Sequence, residues 1–267
     1  MNAYIAGAVR TPIGKFGGAL ATATAADLGV AVVVEALRRA GVQASEVDEL
    51  IFGCARQAGV GPNVARQIAY RAGIPETRPA YTVNMACGSG LKAILLAAQE
   101  IALGRAHVVV AGGTESMSRV PYLIERARWG LRLGHDQLTD AMYKDGFLDP
   151  LSHLVMGETA EILAEQYEIS RQEQDAYAWR SQQRAAQARR SGRFAEEILP
   201  LEVSDGRGGR RAVSEDEHIR PDTTLEGLAR LTPVFRPGGT ITAGNSSGIT
   251  DGAAAVVVLS EQAAGRR

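Results

Sequence analysis

The first 113 residues alternate between short apolar runs typical of strands and longer apolar runs with helical spacing. This alternation constrains the fold more than any other feature of the chain. Strands are predicted over residues 4–9, 49–53, 79–86 and 107–111, with helices between them over 26–40, 63–71 and 89–103. Gly41 stands where the first of these helices should end. The pattern predicts an α/β protein with a mixed, mostly parallel sheet covered by helices on both faces.

The character of the chain changes after about residue 119, where charged residues become more frequent. Ser170 and Glu173 form a capping box that should open a long helix ending near residue 191. A turn is predicted over 205–209, between two short strands. The apolar run 253–259 then predicts a strand that rejoins the first sheet. We therefore expect a core domain of residues 1–118 and 244–267, with an inserted α+β domain of residues 119–243.

Composition excludes several classes of protein. The chain is 45% hydrophobic and 22% charged, with a formal net charge of −1, which is typical of a globular protein and unlike a nucleic-acid binder. No apolar run approaches the roughly 18 residues that would span a bilayer, and the first residues do not resemble a signal peptide. The two cysteines, Cys54 and Cys87, fit a reducing compartment. A soluble, cytoplasmic protein without nucleic-acid or membrane partners is expected.

Cys87 is the best candidate for a catalytic residue. It stands in Asn84-Met-Ala-Cys87-Gly-Ser-Gly90, where a predicted strand turns into a helix. A thiol at this place faces free backbone N–H groups and the positive end of a helix dipole, and both favour the nucleophilic thiolate. The same amides could hold an oxyanion during acyl transfer. The alternative is a small buried hydrophobe at a helix start.

The segment NMACGSGLKA resembles the sequence around the acyl-accepting cysteine of the thiolase family. Other segments resemble thiolases in the same order along nearly the whole chain: AVRTPIGKFGG (8–18), GGTESMS (112–118), MGETAE (156–161) and TAGNSSGITDGAAAVVVLSE (242–261). The resemblance implies a thiolase-like layered core with an inserted loop domain. A ketosynthase-type condensing enzyme would share this architecture, but MGETAE and GNSSGITDG look specifically like thiolase.

The resemblance also implies a function. Cys87 would take the acyl group from an acyl-CoA as a thioester. It would then pass the group to free CoA in thiolysis, or to a second CoA thioester in condensation. CoA thioesters would be substrates, with no bound cofactor and no metal. Contacts to CoA carry over onto a set of seven residues, the CoA set: Phe147, Met156, Arg220, Phe235, Ala243, Ser247 and Gly248.

Within the CoA set, the resemblance implies that Ser247 reaches the pantetheine arm and that Arg220 lies near the adenine end. The alternative for Met156, Phe147 and Phe235 is an ordinary place in the hydrophobic core.

Two residues depart from the pattern of short-chain thiolases. Val155 stands where some of them have histidine, and Gly227 stands where they often have serine. The glutamate of MGETAE also favours acyltransferases of the degradative type. These differences weaken the expectation that acetoacetyl-CoA is the preferred substrate.

Thiolases also carry a Gly-His-Pro motif and a Cys-x-Gly motif in a second core domain, and neither occurs in this sequence. The resemblance therefore implies the first core domain plus its loop insertion, with the C-terminal core domain absent. A homo-oligomer, or a partner chain that supplies the second domain, is expected. Because an activated nucleophile needs a general base, the cysteine alone should be acylated slowly at best. The alternative function is a truncated half-thiolase that binds CoA or a partner without turnover.

No other residues form a competing site. The four histidines, His107, His135, His153 and His218, lack triad-like spacing and are expected to be structural, and Cys54 is expected to be incidental. The cysteine and histidine spacings fit no zinc pattern. Residues 244–248 match G-x-S-x-G, the nucleophile elbow of serine hydrolases, but an apolar strand rather than a helix follows, and no histidine comes later.

Overall fold

The structure is a computed structural model and describes residues 2–266 apart from 205 and 207, so Asp205 of the predicted turn lies outside the described residues. The strands are β1 (Ala3–Arg10), β2 (Gly14–Lys15), β3 (Glu49–Gly53), β4 (Ala80–Val83), β5 (Val108–Ser116), β6 (Tyr122–Leu123), β7 (Thr139–Asp140), β8 (Leu201–Ser204), β9 (Arg210–Val213) and β10 (Thr250–Ser260). The helices are α1 (Ala25–Ala40), α2 (Val64–Arg71), α3 (Ser89–Ala102), α4 (Met156–Gln166), α5 (Arg171–Arg190), α6 (Leu225–Ala229) and α7 (Glu261–Ala264).

The main sheet has the strand order β1-β10-β5-β3-β4. Strands β3, β4 and β5 pair in parallel, and β10 pairs antiparallel with both β1 and β5. Four of these five strands therefore run in one direction, and β10 is reversed between β1 and β5. The predicted α/β fold with a mixed, mostly parallel sheet is confirmed.

Successive side chains along each strand point to opposite faces of the sheet and pack into two separate cores. In β3, Leu50 and Phe52 pack with α1 and α2, whereas Ile51 packs with α3 on the other face. All three side chains are completely buried, and each contributes about 2 kcal/mol relative to leaving it in water. Helices thus cover both faces, which explains why the strands are almost continuously apolar.

The chain divides into two compact units. Unit 1 contains Met1–Val120, Glu196–Glu217 and Thr250–Arg267, and unit 2 contains Pro121–Ala195 and His218–Ile249. The predicted insertion of residues 119–243 differs from unit 2 chiefly because Glu196–Glu217, which carries the β8–β9 hairpin, packs within unit 1.

Hydrogen bonds to the end of β1 hold this hairpin segment within unit 1. The Asp216 carboxylate accepts from the Arg10 guanidinium at 2.7 and 3.0 Å and from the Ile13 amide at 2.8 Å. The Leu199 amide also donates to the Arg10 carbonyl at 2.8 Å. These partners lie about 200 residues apart in sequence. The sequence pattern of the insertion alone therefore did not reveal them.

Most predicted helix ends are confirmed. Gly41 and Gly192 follow α1 and α5 with φ of 65° and 71°, in the left-handed region. Several strand ends differ from the prediction. Strand β8 begins at Leu201 rather than at residue 198, and β10 begins at Thr250 rather than at residue 253. Strand β4 ends at Val83 because the next residues form a turn, and β5 continues to Ser116 because it pairs with β10 along its whole length. In residues 2–266, apart from 205 and 207, every helix is too short or too polar to cross a membrane.

Candidate active site

Cys87 lies in unit 1, in the tight turn between β4 and α3, and its side chain is exposed to solvent. The alternative of a small buried hydrophobe is therefore wrong. Ala86, immediately before it, has a φ of 47°, in the left-handed region that non-glycine residues rarely adopt. Such strained backbone is often found where a turn must present a functional side chain.

Two polar side chains of the motif hold this turn. The Ser89 hydroxyl accepts from the Met85 amide at 2.8 Å and donates to the Ala86 carbonyl at 2.6 Å. The Asn84 side-chain oxygen accepts from the Ala86 amide at 3.0 Å. These bonds pair the backbone that the strained turn would otherwise leave unsatisfied, and they explain the polar residues on either side of Cys87.

Two backbone amides near Cys87 are already used within the turn. Gly88 donates to the Met85 carbonyl at 3.0 Å, and Ser89 donates to the Ala86 carbonyl at 3.1 Å. The expectation that the amides facing the thiol are free is wrong for these two, because the turn closes on itself before α3 begins. The dipole of the 14-residue helix α3 still places partial positive charge at this end.

Cys87 lines a cavity of about 350 Å³ within unit 1. Its walls come from the carboxyl ends of β3 and β5, the start of β10 and the Cys87 turn. The helix approaches β3 closely: a Cβ on Gly53 would lie 2.6 Å from the Ser89 carbonyl carbon. Glycine at position 53 therefore lets α3, and the turn before it, pack directly onto the sheet.

Cys54 and Glu115 line the same cavity. Burial raises the pKa of the Cys54 thiol far above its usual range, and the nearby Glu115 carboxylate raises it further. The Glu115 carboxylate also accepts hydrogen bonds from the Ala55 and Arg56 amides. Among the described lining residues Glu115 is the only carboxylate, and none is a histidine.

The four histidines lie elsewhere. His107 immediately precedes β5, with its Nδ1 3.0 Å from the Ser260 hydroxyl, and His135 and His153 are exposed. The His218 ring packs against Gly248 in unit 2, where a Cβ on Gly248 would lie 2.1 Å from the ring. In the described part of the chain, no group of three histidine, cysteine, aspartate or glutamate side chains could hold a metal ion.

All seven residues of the CoA set lie in unit 2. Met156 is the first residue of α4 and is 51% exposed, so the hydrophobic-core alternative is wrong for this residue. The next residue, Gly157, packs against the Phe235 ring, which brings Met156 and Phe235 into one neighbourhood. Phe147 is half-buried and meets the edge of Tyr143, with the ring centroids 5.6 Å apart.

A second neighbourhood of the CoA set forms around His218. Its contact with Gly248 joins the segment before Arg220 to the loop that carries Ala243 and Ser247. The Arg220 amide is fixed by the Gln182 side chain of α5 at 2.7 Å, and the Arg220 side chain is exposed. Ala243 and Ser247 are exposed as well.

The two positions that depart from short-chain thiolases both stabilise helix starts. The Val155 amide donates to the Glu158 carboxylate at 2.9 Å, just before α4. The Gly227 amide donates to the Thr224 hydroxyl at 3.0 Å, at the start of α6. Position 155 and position 227 each contribute only a backbone amide, so these bonds do not require a particular side chain at either position.

Sequence reasoning missed three carboxylates: Glu115, Glu161 and Asp175. Glu161 had a detectable signal, because Gly157, Glu161 and Ala164 are spaced as one face of α4 and all three are buried. A charged residue at a core position indicates a buried carboxylate that needs partners. Glu115 offered no comparable signal, since its partners are backbone amides of a different loop.

Comparisons with known proteins agree with this architecture. A family model described as "Thiolase, N-terminal domain" matches residues 3–262. A probable acetyl-CoA acyltransferase of Staphylococcus aureus is 48% identical over 260 residues, covering 97% of this chain and 66% of the relative. An acetyl-CoA acetyltransferase of Syntrophomonas wolfei is 49% identical over 262 residues, with the same shares covered.

A crystal structure of the Bacillus anthracis acetyl-CoA acetyltransferase superimposes with a TM-score of 0.95 at 47% identity, covering 99% of this chain and 67% of that one. The chain thus spans 66% of the length of the two relatives in the sequence comparison. The family match over residues 3–262 and these relatives together show that the chain belongs to the thiolase family.

Proposed function

We propose that the chain is an acetyl-CoA C-acyltransferase in which Cys87 accepts the acyl group. The observation that carries this proposal is the exposed Cys87 thiol, held by a strained turn at the start of α3 and facing a cavity of about 350 Å³. The names of the relatives support the same class of reaction.

In the proposed reaction, the Cys87 thiolate attacks the thioester carbonyl of an acyl-CoA. A new bond forms between the Cys87 sulfur and the acyl carbon, and the bond to the CoA sulfur breaks, so that CoA leaves as a thiolate. In condensation, the α-carbon of a second CoA thioester gives up a proton to a general base, attacks the acyl-enzyme carbonyl and releases the Cys87 thiolate. In thiolysis, the Cys87 thiolate instead attacks the C3 carbonyl of a 3-ketoacyl-CoA, the C2–C3 bond breaks, and the two-carbon fragment takes a proton and leaves as acetyl-CoA. The acyl group then passes to the sulfur of free CoA, which gives its proton to the general base, and the Cys87 thiolate is released. Both directions require the thiolate form of Cys87 as the nucleophile.

Unit 2 is proposed to hold the CoA portion of the substrate through the CoA set defined above. Unit 1 would then form the catalytic core domain, predicted from the sequence as residues 1–118 and 244–267, and unit 2 would form the CoA-binding loop domain, predicted as residues 119–243. Exposure of Met156, Arg220 and Ser247 supports this assignment, because a ligand can reach these side chains. Two free cysteines also fit the proposed cytoplasmic location.

The alternative function is a half-thiolase that binds CoA or a partner without turnover. It is favoured by the lining of the cavity, in which the described residues include no histidine and only one carboxylate, Glu115. Since that carboxylate already accepts from two amides, it is poorly suited to take a proton from Cys87. A partner chain that carries the second core domain is proposed to supply a general base at Cys87, and a homo-oligomer is the other proposed form of assembly.

Turnover by the purified chain separates these two functions. Thiolysis of acetoacetyl-CoA and of a longer 3-ketoacyl-CoA is followed for the unsubstituted chain, Cys87→Ala and the matched control Cys54→Ala. If the chain turns over, we expect Cys87→Ala to lose activity by about a thousandfold or more, and Cys54→Ala to keep it. Turnover that survives in Cys87→Ala would contradict the assignment of Cys87. Absence of turnover in the unsubstituted chain would support the half-thiolase.

A further inference from the structure

The loop over residues 240–248 lies between the last helix of unit 2 and strand β10, outside the helices and strands given above. It carries three members of the CoA set: Ala243, Ser247 and Gly248. A loop without a ladder of backbone hydrogen bonds holds one conformation only if side chains supply the missing bonds. Side chains from neighbouring helices therefore fix this loop.

Glu161 of α4 provides the first attachment. Its side chain is completely buried, and its carboxylate accepts from the Thr240 amide at 2.9 Å, the Thr240 hydroxyl at 2.9 Å and the Ile241 amide at 2.8 Å. The Arg236 guanidinium lies 3.9 Å away. Burial would raise the pKa of this carboxyl, but the bonds from Ile241 and Thr240 and the charge of Arg236 together lower it. Glu161 is thus a charged anchor for the start of the loop.

Asp175 of α5 provides the second attachment and is 5% exposed. One carboxylate oxygen accepts from the Asn245 side-chain amide at 3.0 Å, and the other accepts from Arg171 at 2.8 Å. Asn245 in turn accepts from the Thr242 amide at 2.8 Å and donates to the Thr240 carbonyl at 3.0 Å. The middle of the loop is therefore folded around Asn245, and Asn245 is held by Asp175.

We propose that Glu161 and Asp175 are positioning residues for the CoA thioester, an inference that rests on the function proposed above. Each of two helices contributes one buried carboxylate to the loop over 240–248. Glu161 is five residues beyond Met156 on the same helix, so it ties the part of the CoA set on α4 to the part on the loop. Hydrogen bonds to carboxylates are stronger than neutral ones, and a loop fixed before binding loses less freedom when CoA arrives.

The test compares two isosteric substitutions on α4. In Glu161→Gln the side-chain amide presents an N–H₂ group to at least one of the three donors, so a loop bond is lost. Glu165→Gln is the matched control: Glu165 is on the same helix and also binds Arg236, but its side chain is 65% exposed, and its described hydrogen bond goes to Arg236 rather than to the loop. The affinity of the chain for CoA is measured by isothermal titration calorimetry, and folding is measured by thermal unfolding.

We expect Glu161→Gln to weaken CoA binding about tenfold and Glu165→Gln to change it less than about twofold. Asn245→Ala removes the second attachment from the loop side and leaves Asp175 paired with Arg171, so it should weaken binding in the same direction. If Glu161→Gln does not fold, the CoA affinity of Asn245→Ala tests whether attachment of the loop supports CoA binding. Alkylation of Cys87 should proceed at the unsubstituted rate in all folded variants, because unit 1 is unchanged; a general loss of structure would alter it.

Two results would overturn the inference alone: folded Glu161→Gln and Asn245→Ala proteins that bind CoA as tightly as the unsubstituted chain, or a Glu165→Gln variant that weakens as much as Glu161→Gln. Failure of the unsubstituted chain to bind CoA would instead refute the proposed role of the CoA set, and the inference with it. The two failures are therefore distinguishable.

Discussion

At the scale of single residues, the two cysteines have opposite environments although they line the same cavity. Cys87 is exposed in its turn, whereas Cys54 is 1% exposed at the end of β3. Burial and the Glu115 carboxylate both raise the pKa of Cys54, so its thiol stays protonated near neutral pH. Only the thiolate reacts with electrophiles. The chemistry of the cavity should therefore come from Cys87.

This difference predicts selective alkylation. Iodoacetamide at mildly alkaline pH should modify Cys87 at least about tenfold faster than Cys54 in the folded chain. Digestion and mass spectrometry measure the label on each peptide over time. The control is the same reaction in guanidinium chloride, where the two rates should converge because both environments are lost. Equal rates in the folded chain would contradict the account of the cavity.

Some functional residues could be predicted from the sequence, and the partners of others could not. Cys87 could be selected from its motif, because glycines and a helix start are visible in the sequence. The partners of Glu161 could not be selected, since Thr240 and Ile241 are 79 and 80 residues away. The engaged amides of Gly88 and Ser89 were also not predictable, because they follow from the closed geometry of the turn.

At the scale of elements, helix α1 carries a carboxylate that forms ion pairs with two arginines of the same helix. The Glu35 carboxylate accepts from Arg38 and Arg39, with each bond 2.7 Å long. The two hydrogen bonds from Arg38, and then the one from Arg39, lower the pKa of Glu35 from 4.5 to about 2. The folded state therefore binds a proton at this site less readily than the unfolded state.

The lowered pKa of Glu35 determines how the stability of the chain should depend on pH. Above pH 4.5 the carboxylate is ionised in both states and its stabilisation is fully present; it is lost as the pH falls toward about 2. Glu35→Gln should lower stability by about 1 kcal/mol or less near neutral pH, because the Arg38 side chain is 72% exposed and solvent screens the pair. The melting temperatures of the Glu35→Gln variant and of the unsubstituted chain should converge in acid.

Thermal unfolding across this pH range measures the effect. Glu100→Gln, which removes one longer ion pair of 3.5 Å with Arg105, is the comparison and should change stability less than Glu35→Gln at neutral pH. A difference between the Glu35→Gln variant and the unsubstituted chain that grows as the pH falls would show that the sign is wrong.

Helices and strands with regularly spaced apolar residues could be predicted from the sequence, but their ends were predicted less accurately. Helix α1 and strand β3 were predicted within one residue, since amphipathic spacing and a capping glycine mark them. Strand β5 is longer than predicted, because it continues beyond residue 111 through Gly112 and Gly113 to Ser116. They stay in the strand because β10 approaches closely there: a Cβ on Gly112 would lie 2.2 Å from the Ala254 carbonyl oxygen. Such pairings between distant segments are not visible in local sequence.

At the scale of the whole molecule, helix α3 has two distinct faces. One face buries Ala93, Ala97 and Ile101 against the sheet, and the other exposes Leu91 and Leu95, which are 63% and 49% accessible. This exposed pair begins four residues after Cys87. The proposed partner chain or second copy would cover an apolar face beside the nucleophile, and each leucine buried in such an interface contributes about 2 kcal/mol.

Substitution of both leucines tests this assembly. Leu91→Ser with Leu95→Ser should reduce self-association in sedimentation experiments and should lower binding of a hydrophobic dye. Leu103→Ser is the control, because Leu103 is as exposed as Leu91 but follows the last turn of α3. An unsubstituted chain that is monomeric and binds no dye would refute the proposed oligomer. Association unchanged by the double substitution would show that another surface is used.

Acceptance of the acyl group by Cys87 can be tested directly, without turnover. The chain is incubated with acetyl-CoA, quenched in acid and digested, and each cysteine-containing peptide is weighed. We predict that one acetyl group accumulates on the Cys87 peptide, that the label persists in Cys54→Ala and that it disappears in Cys87→Ala. Acetyl label on the Cys54 peptide, or equal labelling of the two variants, would contradict the claim.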